Sequence, residues 1–196
     1  MLGIPSVIWK DGNGNERAVD ITTRLLKDRI IMVTGEINDE LAESVVSQLL
    51  YLEAEDRDKP IKMFVNSQGG SCLAGLSIIS CMQTISCPVH TIISGLAASM
   101  GIVIAASGDK GHRSIYPLSR VMIHQCSGGQ SGNVQDVRVN YKEMEKINDI
   151  LMEHLAKCCG KDPETIRNDC QRDTWYGPEE IIEYGLVDKL IESHKE

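Results

Sequence analysis

The stretch Ile61-Lys62-Met63-Phe64-Val65-Asn66-Ser67-Gln68-Gly69-Gly70 carries an apolar run straight into a glycine-rich turn. Ile61 to Val65 reads as a strand, and Asn66 to Gly70 as the turn that feeds a helix from about Ser71 to Ile85. Pro88 then closes that unit, and Val89 to Ile93 reads as the next strand. Strand, helix, strand at this spacing is one crossover unit of a parallel sheet, so the stretch decides between a helical bundle and an α/β fold in favour of the second.

The same alternation extends in both directions. Upstream, Ile30-Ile31-Met32-Val33 is a β-branched apolar run ended by Gly35, and Asn38 or Asp39 caps a helix whose apolar positions are Leu41, Val45, Leu49 and Leu52. Before it, Pro5 and Asp11-Gly12-Asn13-Gly14-Asn15 predict a hairpin or loop outside the core. Downstream, Ala97 to Ala106 predicts a short apolar helix, Val121 to Ile123 a strand, and Ser127 to Gly132 a flexible loop. A long helix over Val134 to Lys157 follows, with Val134, Val137, Tyr141, Met144, Ile147, Leu151 and Leu155 on one face, and Gly160 stops it. Asp162-Pro163-Glu164 and Gly177-Pro178-Glu179-Glu180 each start a further helix, Gly185 ends the second, and Val187 to Ile191 predicts a last strand. No internal repeat or linker divides the chain, so a single α/β domain is expected.

Composition narrows the function classes. The chain has 196 residues, 42% hydrophobic and 24% charged, the mix of a globular protein with one core. Its formal charge of −8 disfavours a nucleic-acid or membrane-surface role, both of which need a positive face. No run reaches the roughly 18 apolar residues of a membrane span. Seven cysteines without a C-x-x-C pair suggest neither a disulfide framework nor a zinc site, and read as mostly small buried hydrophobes in a reducing, cytoplasmic setting.

Three residues stand where chemistry is possible. Ser99, in Ser94-Gly95-Leu96-Ala97-Ala98-Ser99-Met100-Gly101, lies in a small-residue turn at a helix start, where unpaired N–H groups favour negative charge. That composition also suits an ordinary capping serine. His124 follows the strand Val121 to Ile123, at the edge where open α/β sheets place their ligands, although a satisfied core histidine has the same signature. Asp173 stands just past a helix end and can orient a histidine, or be a solvated charge beside Arg172. His90, His112, His154 and His194 are less well placed. Gly69-Gly70 matches neither a P-loop nor a dinucleotide fingerprint.

Four blocks, in order, resemble the Clp protease proteolytic subunit family: Phe64 to Gly70, Gly95 to Gly101, Ser119 to Gln125, and Arg172-Asp173 followed by Glu183 to Asp188. The resemblance covers about Ile21 to Ile191. It implies a spiral of β-β-α units of the kind shared with crotonases, with residues 1–20 as an axial loop, about 21–125 and 158–196 as the head, and about 126–157 as a protruding handle. It implies a serine endopeptidase with Ser99 as nucleophile, His124 as general base and Asp173 as orienting carboxylate, and with the N–H groups of Gly70 and Met100 as the oxyanion hole. By the same resemblance two seven-membered rings stack, an ATP-hydrolysing hexameric unfoldase supplies unfolded protein substrates, and the chain itself needs no cofactor or metal.

The chain departs from the family pattern at four positions. Gln68 and Cys126 stand where the family has proline, and Gln171 where it has the acid that pairs with the arginine matched by Arg172 in the ring–ring contact. Lys62 stands where an aromatic docks the unfoldase. These departures motivate an alternative, a catalytically weak ring subunit assembling with an active paralogue. An acyl-CoA hydratase on the same architecture is disfavoured because such enzymes use carboxylates. Cys126 lies two residues from His124, so alkylating its thiol is expected to slow peptide cleavage.

Overall fold

The computed structural model describes residues 5–10, 12, 14–129 and 131–192. Met1 to Ile4, Asp11, Asn13, Gln130 and residues 193–196 lie outside these, and with them His194, part of the expected axial loop and the end of the head. The expected hairpin forms from β1 (Ser6–Lys10) and β2 (Glu16–Asp20), paired antiparallel from Ser6 opposite Asp20 to Lys10 opposite Glu16. Asp20 then caps α1 (Ile21–Lys27) by accepting from Thr23 N at 2.8 Å, a helix the periodicity did not announce.

Seven strands make the main sheet among the described residues, and the α/β alternation holds. β3 (Ile30–Ile37), β4 (Ile61–Gly70) and β5 (Val89–Ala98) are parallel neighbours, with α2 (Asp39–Glu55) and α3 (Cys72–Thr84) as the crossovers. Along β4 the side chains alternate, so Ile61, Met63 and Val65 are fully buried while Lys62 is exposed. The buried stripe of α2 is Ala42, Val45, Leu49 and Leu52, the face expected from its spacing apart from Leu41, which is only partly buried, with Ala42 buried beside it.

The strands run further than their apolar runs. Asn66 to Gly70 is the end of β4 and not a turn, because Glu36 and Ile37 pair with Gly69 and Gly70 beyond a bulge at Gly35. Likewise β5 continues through Gly95 to Ala98, so the helix expected from Ala97 begins only at Met100: α4 (Met100–Ala106). The first half of β5 pairs with β6 (Arg113–Ile115) and the second half with β7 (Arg120–Ile123). Between the halves, Gly95 takes φ +117°, and Asn66 Oδ1 accepts from Leu96 N at 3.0 Å. All seven residues of α4 are buried, making it the centre of the core.

The 26-residue α5 (Val134–Cys159) is about 39 Å long at 1.5 Å per residue. Its buried residues, Leu151, Met152, Leu155 and Ala156, all belong to its C-terminal half. Val134, Val139 and Tyr141 in the other half are exposed. α6 (Pro163–Asp169), β8 (Thr174–Tyr176) and α7 (Pro178–Tyr184) follow, and the last strand, β9, is only Lys189–Leu190. β8 is antiparallel to β7, the one such pair in the main sheet among the described residues. Arg113, buried, and Asp188, partly buried, close this end of the sheet with a bidentate pair, Nη2 to Oδ1 at 2.6 Å and Nε to Oδ2 at 2.9 Å.

Candidate active site

Three strand ends meet at one edge of the sheet. Ala98 lies beside Met122 in the β5–β7 ladder, so Ser99 and His124 emerge together, and Ile123 lies opposite Thr174, so Asp173 arrives from the antiparallel β8 at the same edge. His124 Nε2 is 2.8 Å from Ser99 Oγ, and His124 Nδ1 is 3.3 Å from Asp173 Oδ1. With its proton on Nδ1, the nitrogen nearer the carboxylate, His124 presents the Nε2 lone pair to the serine hydroxyl, the polarity a general base requires. His124 is 21% exposed and Asp173 63%, so the imidazole is sheltered and the acid is reached by water.

Ser99 is held in a sparsely populated backbone conformation, φ 54° and ψ −125°, at the N-cap of α4. Such a conformation costs about 1–3 kcal/mol and persists only where surrounding contacts over-determine it. Here Ser99 N donates to Met122 O at 3.0 Å, and the side chain turns away from capping the helix, toward His124. Met100 is the first residue of α4, so its N–H has no intrahelical acceptor.

Gly69 packs against this corner. A Cβ on it would lie 2.6 Å from Ser99 Cβ and 3.0 Å from Met100 N, and one on Gly70 would lie 2.2 Å from Ile37 O. The two glycines, at φ +99° and +151°, thus bring bare backbone against the serine and the neighbouring strand. Ser67, 1% exposed, fixes them: its Oγ accepts from Gly69 N at 3.0 Å and donates to Gly35 O at 2.5 Å. Sequence reasoning passed over this serine, although it lies inside the glycine-rich block.

Gln68, where the resemblance implies a proline, pairs across to β3. With its nitrogen toward Gly35 O and its oxygen toward Glu36 N, each at 3.2 Å, the carboxamide spans the β3 bulge. Gln171 is exposed; its side chain donates to Asn168 Oδ1 at 3.0 Å and its carbonyl accepts from Gln125 Nε2 at 3.2 Å. Arg172 is exposed beside it. His124, Gln125, Gln171, Arg172 and Asp173 share the wall of a cleft of about 510 Å³.

The other described histidines have partners elsewhere. His90 stacks on His112 at 4.0 Å, and His154 meets Ser107 Oγ at 2.7 Å. The expectation that most cysteines are buried is corrected: Cys87 and Cys170 are buried and the other five are half-buried. Cys126 N donates to Asn148 Oδ1 at 2.9 Å, which ties the segment after His124 to α5. Among the described residues no group of three or more His, Cys, Asp or Glu converges as for a metal ion, and no helix is long and apolar enough to cross a membrane.

A family model described as Clp protease matches residues 13–194. An ATP-dependent Clp protease proteolytic subunit of Leuconostoc citreum (strain KM20) is 47% identical over 189 residues, covering 95% of this chain and 94% of the relative. One of the same description from Ligilactobacillus salivarius (strain UCC118) is 43% identical over 192 residues, 98% of this chain and 97% of the relative.

Proposed function

The chain belongs to the Clp protease family and is a peptidase, and on that premise we propose that Ser99, His124 and Asp173 are its catalytic set. The observation that carries this reading is the hydrogen bond of His124 Nε2 with Ser99 Oγ at 2.8 Å, with the carboxylate of Asp173 on the far nitrogen. Ser99 Oγ attacks the scissile carbonyl as its proton passes to His124 Nε2, and Asp173 stabilises the imidazolium that results. The tetrahedral oxyanion is held by the N–H groups of Gly70 and Met100, each worth about 3 kcal/mol in such a site. His124 then returns the proton to the leaving amine, and water repeats the sequence on the acyl-enzyme. Every proton moves between groups of this chain, its substrate and water, so the reaction needs no cofactor.

Val134, Val139 and Tyr141, exposed in the first half of α5, support a role as a handle between two stacked seven-membered rings, with about 126–157 as the handle and about 21–125 and 158–196 as the head. Gln171 and Arg172 lie on an exposed segment suited to the ring–ring contact. The relatives' description as ATP-dependent supports an ATP-driven hexameric unfoldase as the partner that delivers unfolded proteins; the seven cysteines without a C-x-x-C pair support a reducing, cytoplasmic setting. The hairpin of β1 and β2 is the candidate axial loop. A formed Ser99–His124 bond favours this over a catalytically weak subunit paired with an active paralogue.

Ser99→Ala is the test. Cleavage of small fluorogenic peptides and labelling by a fluorophosphonate are both expected to vanish while the assembled mass, by light scattering, stays the same. Unchanged turnover refutes the assignment.

A further inference from the structure

Two half-buried thiols face each other beside the site. Cys72 is the first residue of α3, two positions after Gly70, and Cys126 follows His124 by two. Their sulfurs are 3.6 Å apart and share a hydrogen bond. Both line a cleft of about 350 Å³ with Ser127, Asn140 and Met144, ample for a small oxidant.

We propose that Cys72 and Cys126 form a reversible oxidation site for small hydroperoxides, whose disulfide ties the Gly70 strand to the His124 strand and slows the peptidase. The effect on turnover rests on the catalytic reading above; the thiol chemistry does not.

The two thiols are unequal in a way that assigns their roles. Cys72 stands in the first turn of α3, whose unpaired N–H groups and dipole favour a thiolate there, and the hydrogen bond shared with Cys126 also holds the Cys72 thiol below its ordinary value. That shared hydrogen bond, together with burial, pushes Cys126 up. Cys72 is therefore the attacking thiolate. Its sulfur takes the terminal oxygen of the peroxide, the O–O bond breaks and an alcohol, or water from hydrogen peroxide, departs; Cys72 becomes a sulfenic acid. Cys126 sulfur then attacks Cys72 sulfur, the S–O bond breaks, and hydroxide leaves with the Cys126 proton as water. Two thiols and one peroxide give one disulfide, one alcohol or water, and a further water. A dithiol reverses the step by exchange.

Closing the sulfurs to the bond length of about 2.05 Å draws them together by about 1.5 Å. The flanking backbone is pinned: Ser71 N donates to Ile37 O at 2.7 Å, Gln125 N to Cys170 O at 2.7 Å, and Cys126 N to Asn148 Oδ1 at 2.9 Å. Ser71 and Gln125 are the single links to Gly70 and His124, and their bonds leave them little slack, so the pull is passed on to Gly70 and His124, where a displacement of about 1 Å can cost about 100-fold in rate.

The test titrates the reduced, assembled protein with hydrogen peroxide and follows three readouts: peptide mapping without reductant, hydrolysis of a small fluorogenic peptide, and fluorophosphonate labelling at Ser99. The proposal expects a peptide linked through Cys72 and Cys126 whose yield rises as turnover falls about 10- to 100-fold, both reversed by dithiothreitol. Cys72→Ser is expected to be active and to keep its activity at the same dose. A dose that oxidises Cys81 yet yields no Cys72–Cys126 link overturns the proposal. So does a complete link with unchanged turnover, or a Cys72→Ser protein that loses activity as wild type does. If the reduced protein neither labels at Ser99 nor cleaves, the catalytic reading has failed, and the presence or absence of the linked peptide still decides the oxidation site.

Discussion

His124 and Asp173 face each other one step beyond the last rung of the β7–β8 ladder, where Ile123 lies opposite Thr174. The antiparallel sense of β8 is what brings a residue at the start of one strand to one at the end of another. In the proposed catalytic set Asp173, reached by solvent, selects the imidazole tautomer as well as steadying the imidazolium.

Asp173→Asn removes that selection while keeping the side chain's size. Peptide hydrolysis should fall by about 10²- to 10⁴-fold in kcat, with KM little changed and the assembled mass unaltered. Steady-state kinetics beside light scattering check this; a variant within tenfold of wild type takes Asp173 out of the set.

Gly69→Ala puts a methyl 2.6 Å from Ser99 Cβ in a backbone conformation at φ +99°. Both stability and turnover should drop, the first by about 1–3 kcal/mol. Gly111→Ala is the control, since it shares a positive φ of +87° but has nothing within 4 Å. Its cost should be near 1 kcal/mol with kcat unchanged. Equal effects of the two on kcat would mean that the packing at Ser99 does not matter.

The pair of Arg113 and Asp188 predicts acid sensitivity. Burial by itself would raise the Asp188 carboxyl, but the hydrogen bonds and charge of Arg113 prevail and hold it below the usual carboxylate range. A lowered folded-state value means that the group's stabilisation is complete above the unfolded value, near 3.9, and is lost as pH falls through the folded one. Asp188→Asn removes the countercharge of Arg113, 3% exposed, while leaving its bonds to Cys158 O and Gly185 O, and should cost about 3 kcal/mol. It should also flatten the fall of melting temperature with acid below about pH 4. Thermal melts of both proteins from pH 3 to 7 give the comparison; parallel curves refute it.

Val139→Glu and Tyr141→Glu probe the exposed face of α5. Neither side chain is buried in the single chain, so its folding should change by no more than about 0.5 kcal/mol. Light scattering is expected to show a smaller assembly, as half the particle mass or less. Unchanged mass and activity would leave this face outside any ring contact.

Much of this architecture was legible because apolar runs and caps repeat clearly: the stripe of α2, the apolar α4 and the Asp162-Pro163-Glu164 start each form near where they read. What escaped was written in pairing rather than in pattern. β6 and β8 have three residues each, too few to show a period. Glycines normally argue against a strand, yet Gly69, Gly70 and Gly95 lie within strands because their bare backbone lets a neighbouring strand or helix close in. Ser99 was visible in a small-residue turn at a helix start and His124 at a strand end, while the claim of Asp173 depended on a strand too short to see. The contact between Cys72 and Cys126 joins residues that no local reading connects.

The β8 segment also orders events in time. A ribosome delivers the N-terminus first, so Ser99 and His124 leave it well before Asp173, and the rung that aligns the acid forms only after α5 and α6 have left the ribosome. A chain still short of residue 173 carries the serine and the histidine but lacks both the carboxylate and the rung that places it.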